Sequence, residues 1–213
     1  MPQFDYEVEI IQKEDRDDVI QFMRDYFMED EPINTSINLI TKEKPVNVPL
    51  EEYLVQGYDN GISTKAVRNG KMIGVCINPI LERNQEHEKV ESDNKDFLTI
   101  YNFLVYMDEH SDAFKHFPGV NKAITVSLVA VDSRCRGKGI AKDLMSRALI
   151  AGKQLGCGFM VVECSSHYTA LAMKRMGFEC IYTLPYKNYK VDGKIVFNTD
   201  PPHTEATVYV KKL

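Results

Sequence analysis

The chain lacks tryptophan, closely spaced cysteine pairs, a long apolar run and any excess of positive charge. Each absence removes a class of protein. Cys76, Cys135, Cys157, Cys164 and Cys180 form an odd, dispersed set with no Cys-x-x-Cys, which points to reduced thiols rather than a disulfide framework or a zinc site. His87, His110, His116, His167 and His203 are equally scattered, so no metal site is expected. No stretch approaches the roughly 18 apolar residues needed to cross a membrane. Met1 to Asp18 is polar and acidic, without the apolar core of a secretory leader. A cytoplasmic protein with no membrane partner is the expectation. The formal charge of -5 argues against a nucleic-acid partner, which usually shows as a basic face, and it suits a cationic ligand. A monomer is expected.

With 44% hydrophobic and 27% charged residues, the composition is that of an ordinary globular protein. The length of 213 residues suits one well-buried core and is short for two. No linker, repeat or low-complexity tract interrupts it, so residues 1–213 read as a single domain.

Hydrophobic periodicity gives the order of elements. Tyr6 to Ile11 alternates like a strand, and Asp15 is placed to cap a helix with the apolar face Val19, Ile20, Met23, Tyr26 and Phe27, ending near Glu29. Asp30 to Pro49 shows neither period and reads as loop, and Leu50 to Tyr58 as a short helix. Thr64 to Arg68 and Met72 to Pro79 flank Asn69-Gly70, a strong hairpin signal. Glu82 to Lys95 reads as a polar surface loop. Phe97, Leu98, Tyr101, Leu104, Val105 and Asp108 recur at three and four, so a helix should run to about Phe114, before Pro118-Gly119. Then follow a strand Ile124 to Val131, a helix Gly137 to Leu155, a strand Phe159 to Cys164, a helix Tyr168 to Met176, a strand Phe178 to Thr183 and a last strand Ala206 to Lys211. The fold class expected is mixed α/β.

The junction after Val131 is the most informative segment. An apolar strand that passes through Arg134-Cys135-Arg136-Gly137-Lys138-Gly139 straight into a helix leaves several N–H groups aimed at one spot, which attracts phosphate. A nucleotide P-loop needs Lys then Ser or Thr after its second glycine, and here Ile140 follows. A dinucleotide fingerprint needs a third glycine where Lys142 stands. The segment resembles motif A of the GNAT superfamily of acyl-CoA-dependent N-acyltransferases, Arg/Gln-x-x-Gly-x-Gly/Ala, with Arg134, Gly137 and Gly139 in the defined places. A second junction, Val161-Val162-Glu163-Cys164-Ser165-Ser166-His167-Tyr168-Thr169-Ala170, closing on Met176-Gly177-Phe178, resembles motif B of the same superfamily. Asp30-Glu31-Pro32-Ile33-Asn34, Ser165-Ser166-His167-Tyr168 and Pro201-Pro202-His203 further resemble the insect-type arylalkylamine N-acetyltransferases. The similarity runs over most of the chain and weakens between Glu82 and Asp96.

The resemblance implies a central, mostly antiparallel sheet with splayed strands and flanking helices. It implies acetyl-CoA as cosubstrate, no metal, and a small amine as acceptor. Backbone groups of Val129, Ala130 and Val131 would meet the pantetheine amides. Arg134, Arg136, Gly137, Lys138, Gly139 and Ile140 would surround the pyrophosphate, with Ala170 and Lys174 flanking the cofactor.

Acetylating an amine requires a neutral nucleophile, a stabilised oxyanion and a proton for the leaving thiolate. An alkylammonium loses its proton near a pKa of ~10, so a base is needed at neutral pH. Glu31 is the candidate, since the proposed catalytic glutamate of the family falls in the matching Glu-Pro; the competing reading is that Glu29, Asp30 and Glu31 form one solvated acidic run. Ser165 and Thr169, four apart, could serve the thiolate, matching two serines assigned to that step in the insect-type enzymes, while Ser165 or Ser166 could equally cap a helix. The superfamily's frequent general-acid tyrosine is replaced by Met173. Tyr26, Phe27, Tyr182 and Tyr186 are candidates for an aromatic acceptor pocket. Three functions remain: acetylation of an arylalkylamine, acetylation of a polyamine, other small amine or protein N-terminus, and acyl-CoA binding without turnover.

Overall fold

The structure is a computed structural model that describes residues 4–85 and 90–213. Residues 86–89 of the expected polar loop lie outside the described residues. Strand β1 (Glu7–Ile10) leads into α1 (Arg16–Met23), whose buried face is Val19, Ile20, Phe22 and Met23. Asp15 does not cap this helix with its side chain. Its carboxylate instead takes the Gln12 N–H and the Lys65 ammonium at 2.8 and 2.6 Å. A wider π-type turn over Arg24–Met28 extends α1 and buries Met28.

The segment expected to be loop contains a one-turn helix, α2 (Pro32–Ser36). Proline fits the first helical position, where an N–H has no partner to lose, but five residues are too few to show a period. Helix α3 (Val48–Leu54) follows, capped by the Asn47 side chain on the Leu50 N–H. The hairpin of β2 (Thr64–Arg68) and β3 (Lys71–Ile77) turns at Asn69 and Gly70, with φ of 51° and 71°, the left-handed pair that matches strand twist. A short β4 (Ile80–Glu82) was not expected. Helix α4 (Lys95–Ser111) starts at Asn94, whose side chain accepts from the Phe97 N–H.

The main departure comes next. Residues 124–131, expected as one strand, belong to two, β5 (Lys122–Ile124) and β6 (Leu128–Val131), in different sheets. At the break, the Thr125 and Ser127 N–H groups bond to Pro79 and Ile77 carbonyls, and the Ser127 hydroxyl bonds to the Leu54 carbonyl at 2.8 Å. Local apolarity cannot show such a parting, because both halves are buried. Helix α5 (Ile140–Gln154), β7 (Phe159–Cys164), α6 (His167–Arg175), β8 (Glu179–Pro185), the small hairpin β9 (Lys190–Val191) and β10 (Lys194–Ile195), and β11 (Glu205–Lys212) complete the chain.

One sheet runs β1-β2-β3-β6 and the other β4-β5-β7-β11-β8, antiparallel except for β5 beside β7. Two cores back the strands. On β7, Phe159 and Val161 pack toward α4, while Met160, Val162 and Cys164 pack toward α5. Phe159 is fully buried against Phe114 and Phe117, and its truncation to alanine should cost about 3–5 kcal/mol.

Candidate active site

Because β5 stops at Ile124, opposite Met160, the rest of β7 has no ladder partner on that side among the described residues, among which β6 pairs with β3 alone. Two strand edges therefore diverge, and the cleft between them measures about 1820 Å³. Leu128, Val129, Ala130 and Val131 line one wall, so the unpaired backbone groups of β6 can bond an extended ligand that carries amides.

At one end of this wall lies the glycine turn. Asp132 is buried, and its carboxylate accepts from the Arg134 backbone N–H, Nε and a terminal nitrogen at 2.9, 3.0 and 2.6 Å. The Arg134 guanidinium holds the Asp132 carboxyl down at about 2. Arg134 also reaches the Tyr26 hydroxyl at 3.2 Å. Its charge is spent on the turn, and neither Arg134 nor Lys138 lines the cleft. Arg136 does, tied to the Val131 carbonyl at 3.2 Å and to the Asp30 carboxylate at 2.6 Å. Gly137 and Gly139 have φ of 75° and 84°, and α5 begins at Ile140, so N–H groups of its first turn open beside Gly139, Ala141 and Lys142 at the cleft. The motif pattern also fits two residues later, as Arg136-Gly137-Lys138-Gly139-Ile140-Ala141. That register puts the arginine in the cleft and the glycine at the helix cap, and it finds Ala141, which the first register leaves out. The donors, the positive-φ glycines and the open space beyond them suit a diphosphate.

At the other end, Glu31 comes from the turn that follows α1. Its Oε1 is sealed from solvent and has no hydrogen-bond partner among the described residues. Burial pushes the carboxyl up to about 7, against the lowering effect of the Ser165 hydroxyl and the Ile33 backbone. It is therefore no member of a solvated acidic run. Ser166, not Ser165, caps α6, by accepting from the Tyr168 N–H at 3.3 Å. Ser165 is left to face Glu31. Thr169 and the buried Met173 also line the cleft, and the exposed Tyr168 stands at its mouth with its ring 5.4 Å from that of His203. The backbone N–H of His167 donates to Nδ1 of His203 at 3.2 Å, and the His167 side chain is not part of the cleft lining. Cys164 is buried and its thiol is pushed up by that burial, so an acyl-cysteine has no support.

The aromatic candidates divide. Tyr26 and Phe27 line the cleft. Tyr186 does not: it is buried behind the site, its hydroxyl donating to the Ser165 carbonyl at 2.7 Å. Tyr182 sits on β8 beside Tyr106 and His110, also off the cleft. Tyr182 is carried off the cleft because β8 lies at the far edge of its sheet, beyond β11, whereas Tyr186 opens the turn that follows β8. Ala170 packs against the α5-side core, and Lys174 is exposed outside the cleft lining. Tyr53, Tyr101, Asp108 and Glu163, which the sequence did not single out as site residues, also line the cleft. Two of the four carry a local signal: Asp108 falls in register with the apolar stripe of α4, and Glu163 interrupts an apolar strand.

Among the described residues, no group of His, Cys, Asp or Glu is arranged to hold a metal, and no helix is long and apolar enough to cross a membrane. Arylalkylamine N-acetyltransferase 2 from Aedes aegypti is 28% identical, with the match covering 98% of this chain and 99% of that one at a TM-score of 0.90. The Drosophila melanogaster polyamine N-acetyltransferase, which forms N-acetylagmatine, is 21% identical over 98% and 100% of the two chains, at a TM-score of 0.87. Arabidopsis thaliana NAA60 in complex with acetyl-CoA is 16% identical over 98% and 100%, at a TM-score of 0.57. These last two speak for the fold alone. Residues 20–178 match the acetyltransferase (GNAT) family, and with the diverging strands, the glycine turn and the helix start in place the chain belongs to that family, whose members use acetyl-CoA.

Proposed function

We propose that this chain acetylates the primary amino group of a small amine by direct attack within a ternary complex with acetyl-CoA, and that arylalkylamines such as dopamine, serotonin or tryptamine are among its acceptors. The observation that carries the reading is Glu31: a buried, partnerless carboxylate oxygen beside Ser165 at the end of an open strand edge. Bound acetyl-CoA supplies the activated acyl thioester. The edge of β6 aligns the amide-bearing arm, and Arg136 with the turn and first N–H groups of α5 holds the diphosphate. Glu31 takes the ammonium proton; a carboxyl poised near 7 is ionised often enough at neutral pH and basic enough to do so. A thiol has a pKa of about 8.5, so Ser165, Thr169 or the proton held by Glu31 meets the mild demand of the leaving group. Tyr26, Phe27, Tyr53 and Tyr101 give the acceptor an aromatic surround.

A second reading, a polyamine acceptor, is favoured by Asp108 and Glu163 on the same side of the cleft. Thiol release from acetyl-CoA across a panel of arylalkylamines, polyamines and peptides tests both. Turnover of small amines with loss of rate in Glu31→Gln supports the transfer reaction. Tight acetyl-CoA binding with no thiol release for any amine would leave only a binding module, and preference for a peptide over every small amine would defeat the small-acceptor reading.

A further inference from the structure

Helix α5 opens at the glycine turn with one acidic residue in its first turn, Asp143. The Asp143 backbone N–H bonds to the Gly139 carbonyl at 3.0 Å, which stacks the two residues, and side chains on a helix lean toward its N-terminus. A carboxylate in this place is drawn to the free N–H groups and the positive end of its own helix. It is a built-in competitor of any anionic ligand there. Gly139, Ile140, Ala141 and Lys142 nevertheless line the cleft, and Asp143 does not.

What holds Asp143 aside comes from the segment before β1. The Tyr6 hydroxyl donates to its Oδ2 across 137 positions of sequence. The phenol keeps its proton for this bond: it is pushed up to about 12, by burial first, then by the hydrogen bond to Asp143 and the charge of that residue. Tyr6 is itself fixed from both sides. It leads into β1, whose first pair is Glu7 with Val67, and its ring stands 6.1 Å from that of Phe4. Phe4 in turn lies under the Arg68 guanidinium at 4.2 Å, and the Lys138 ammonium lies over the same ring at 5.9 Å. Residues 4–6 thus form an arm that takes one charged side chain from each side of Gly139, a cation before it and an anion after it. The hold on Phe4 accounts for the absence of Lys138, expected around the pyrophosphate, from the cleft lining.

We propose that Tyr6 is a positioning residue for the cofactor: by engaging Asp143 it keeps that carboxylate off the first N–H groups of α5 and leaves them to the diphosphate of acetyl-CoA. The inference rests on the reading that this turn holds the cofactor, and it adds the residue that keeps the anion site clear. Tyr6 touches neither substrate and acts only through Asp143.

The test is a double-mutant cycle read by calorimetric titration with acetyl-CoA and by steady-state rates of thiol release. Tyr6→Phe keeps the ring and removes the hydroxyl. From the size of a single charge's effect at a helix start, Kd and KM for acetyl-CoA should rise about two- to fivefold, with kcat and the KM for the amine unchanged. Asp143→Ala alone should bind acetyl-CoA as tightly as the native chain or more tightly, and in combination with Tyr6→Phe it should cancel the loss. Melting curves report that the variants fold. An unchanged Kd in Tyr6→Phe overturns the proposal. So does a loss that persists in the double variant, because Tyr6 then acts through the packing of the arm and not through Asp143, and so does an equal rise in the KM of the amine. No binding of acetyl-CoA by the native chain refutes the cofactor reading itself, a result that is distinct from all of these.

Discussion

The Tyr186 hydroxyl donates a 2.7 Å hydrogen bond to the carbonyl oxygen of Ser165, the residue whose side chain faces Glu31. Tyr186 is held in turn by Phe103 and Phe197, with ring centroids 6.0 Å away in both cases. It is a positioning residue. Tyr186→Phe keeps the packing and removes the bond, which should lower stability by about 1 kcal/mol. If Ser165 is then less well held, it lowers the Glu31 pKa less, and the acid limb of the rate should move to higher pH. A Tm loss with an unmoved pH profile would reduce Tyr186 to a packing role.

Glu31 couples rate and stability in opposite senses. Its folded pKa of about 7 lies above the usual carboxylate value, so the folded chain keeps a proton that the unfolded chain has already released. The stability this group contributes is fully present below about pH 4, falls as pH rises toward 7, and is absent above it. Glu31→Gln should therefore be more stable than the native chain at pH 8, by up to about 3 kcal/mol, and nearly equal to it at pH 4. Its turnover should be at least tenfold lower near neutrality, with acetyl-CoA affinity kept. Thermal unfolding at the two pH values, alongside steady-state rates, checks both halves.

Arg134 and Arg136 should respond differently to removal. Arg136 lines the cleft, and a charge-assisted bond to phosphate is worth about 1.5–3 kcal/mol, so Arg136→Ala should weaken acetyl-CoA binding by about tenfold or more. Its pair with Asp30 is half-exposed and should matter little to stability. Arg134→Ala strands the buried Asp132 carboxylate and should lower Tm instead. Asp132 is depressed to about 2 when folded, so that Tm difference should be full above about pH 4 and shrink as pH falls toward 2. Calorimetric titration with acetyl-CoA and melting curves of the two variants separate the roles.

Gly74 on β3 lets α5 approach the sheet: a Cβ there would stand 2.8 Å from Cγ2 of Ile140 and 3.2 Å from Cδ1 of Leu144. Ile140 opens the helix whose first N–H groups face the cleft. Gly74→Ala should cost about 1–3 kcal/mol by overpacking and raise KM for acetyl-CoA more than KM for the amine. Equal changes in both constants would mean that α5 does not carry the cofactor end.

The single pattern most visible in the chain was the turn after β6, because glycines at positive φ and a helix start are local requirements that a sequence must meet locally. The Asn69-Gly70 hairpin, α4, α5 and β7 were legible for the same reason. Glu31 drew attention through the resemblance of its Glu-Pro and not from any period, and the structure buries it at the cleft. Other local signals were present and passed over, namely the Asp192-Gly193 hairpin turn, Asp108 on an apolar stripe and Glu163 in an apolar strand.

What the sequence by itself determined, then, is the order of the longer elements and the glycine turn before α5, since capping, periodicity and turn chemistry act over a few neighbours. Only the tertiary structure decided where the buried stretch 124–131 parts into two sheets, which serine caps α6, which arginine is consumed by Asp132, and that Tyr186 stands behind the site instead of in it. Those outcomes depend on contacts between segments tens of residues apart. A buried strand looks the same in sequence whichever neighbour it pairs with, and a carboxyl becomes a base only when the rest of the chain takes its water away.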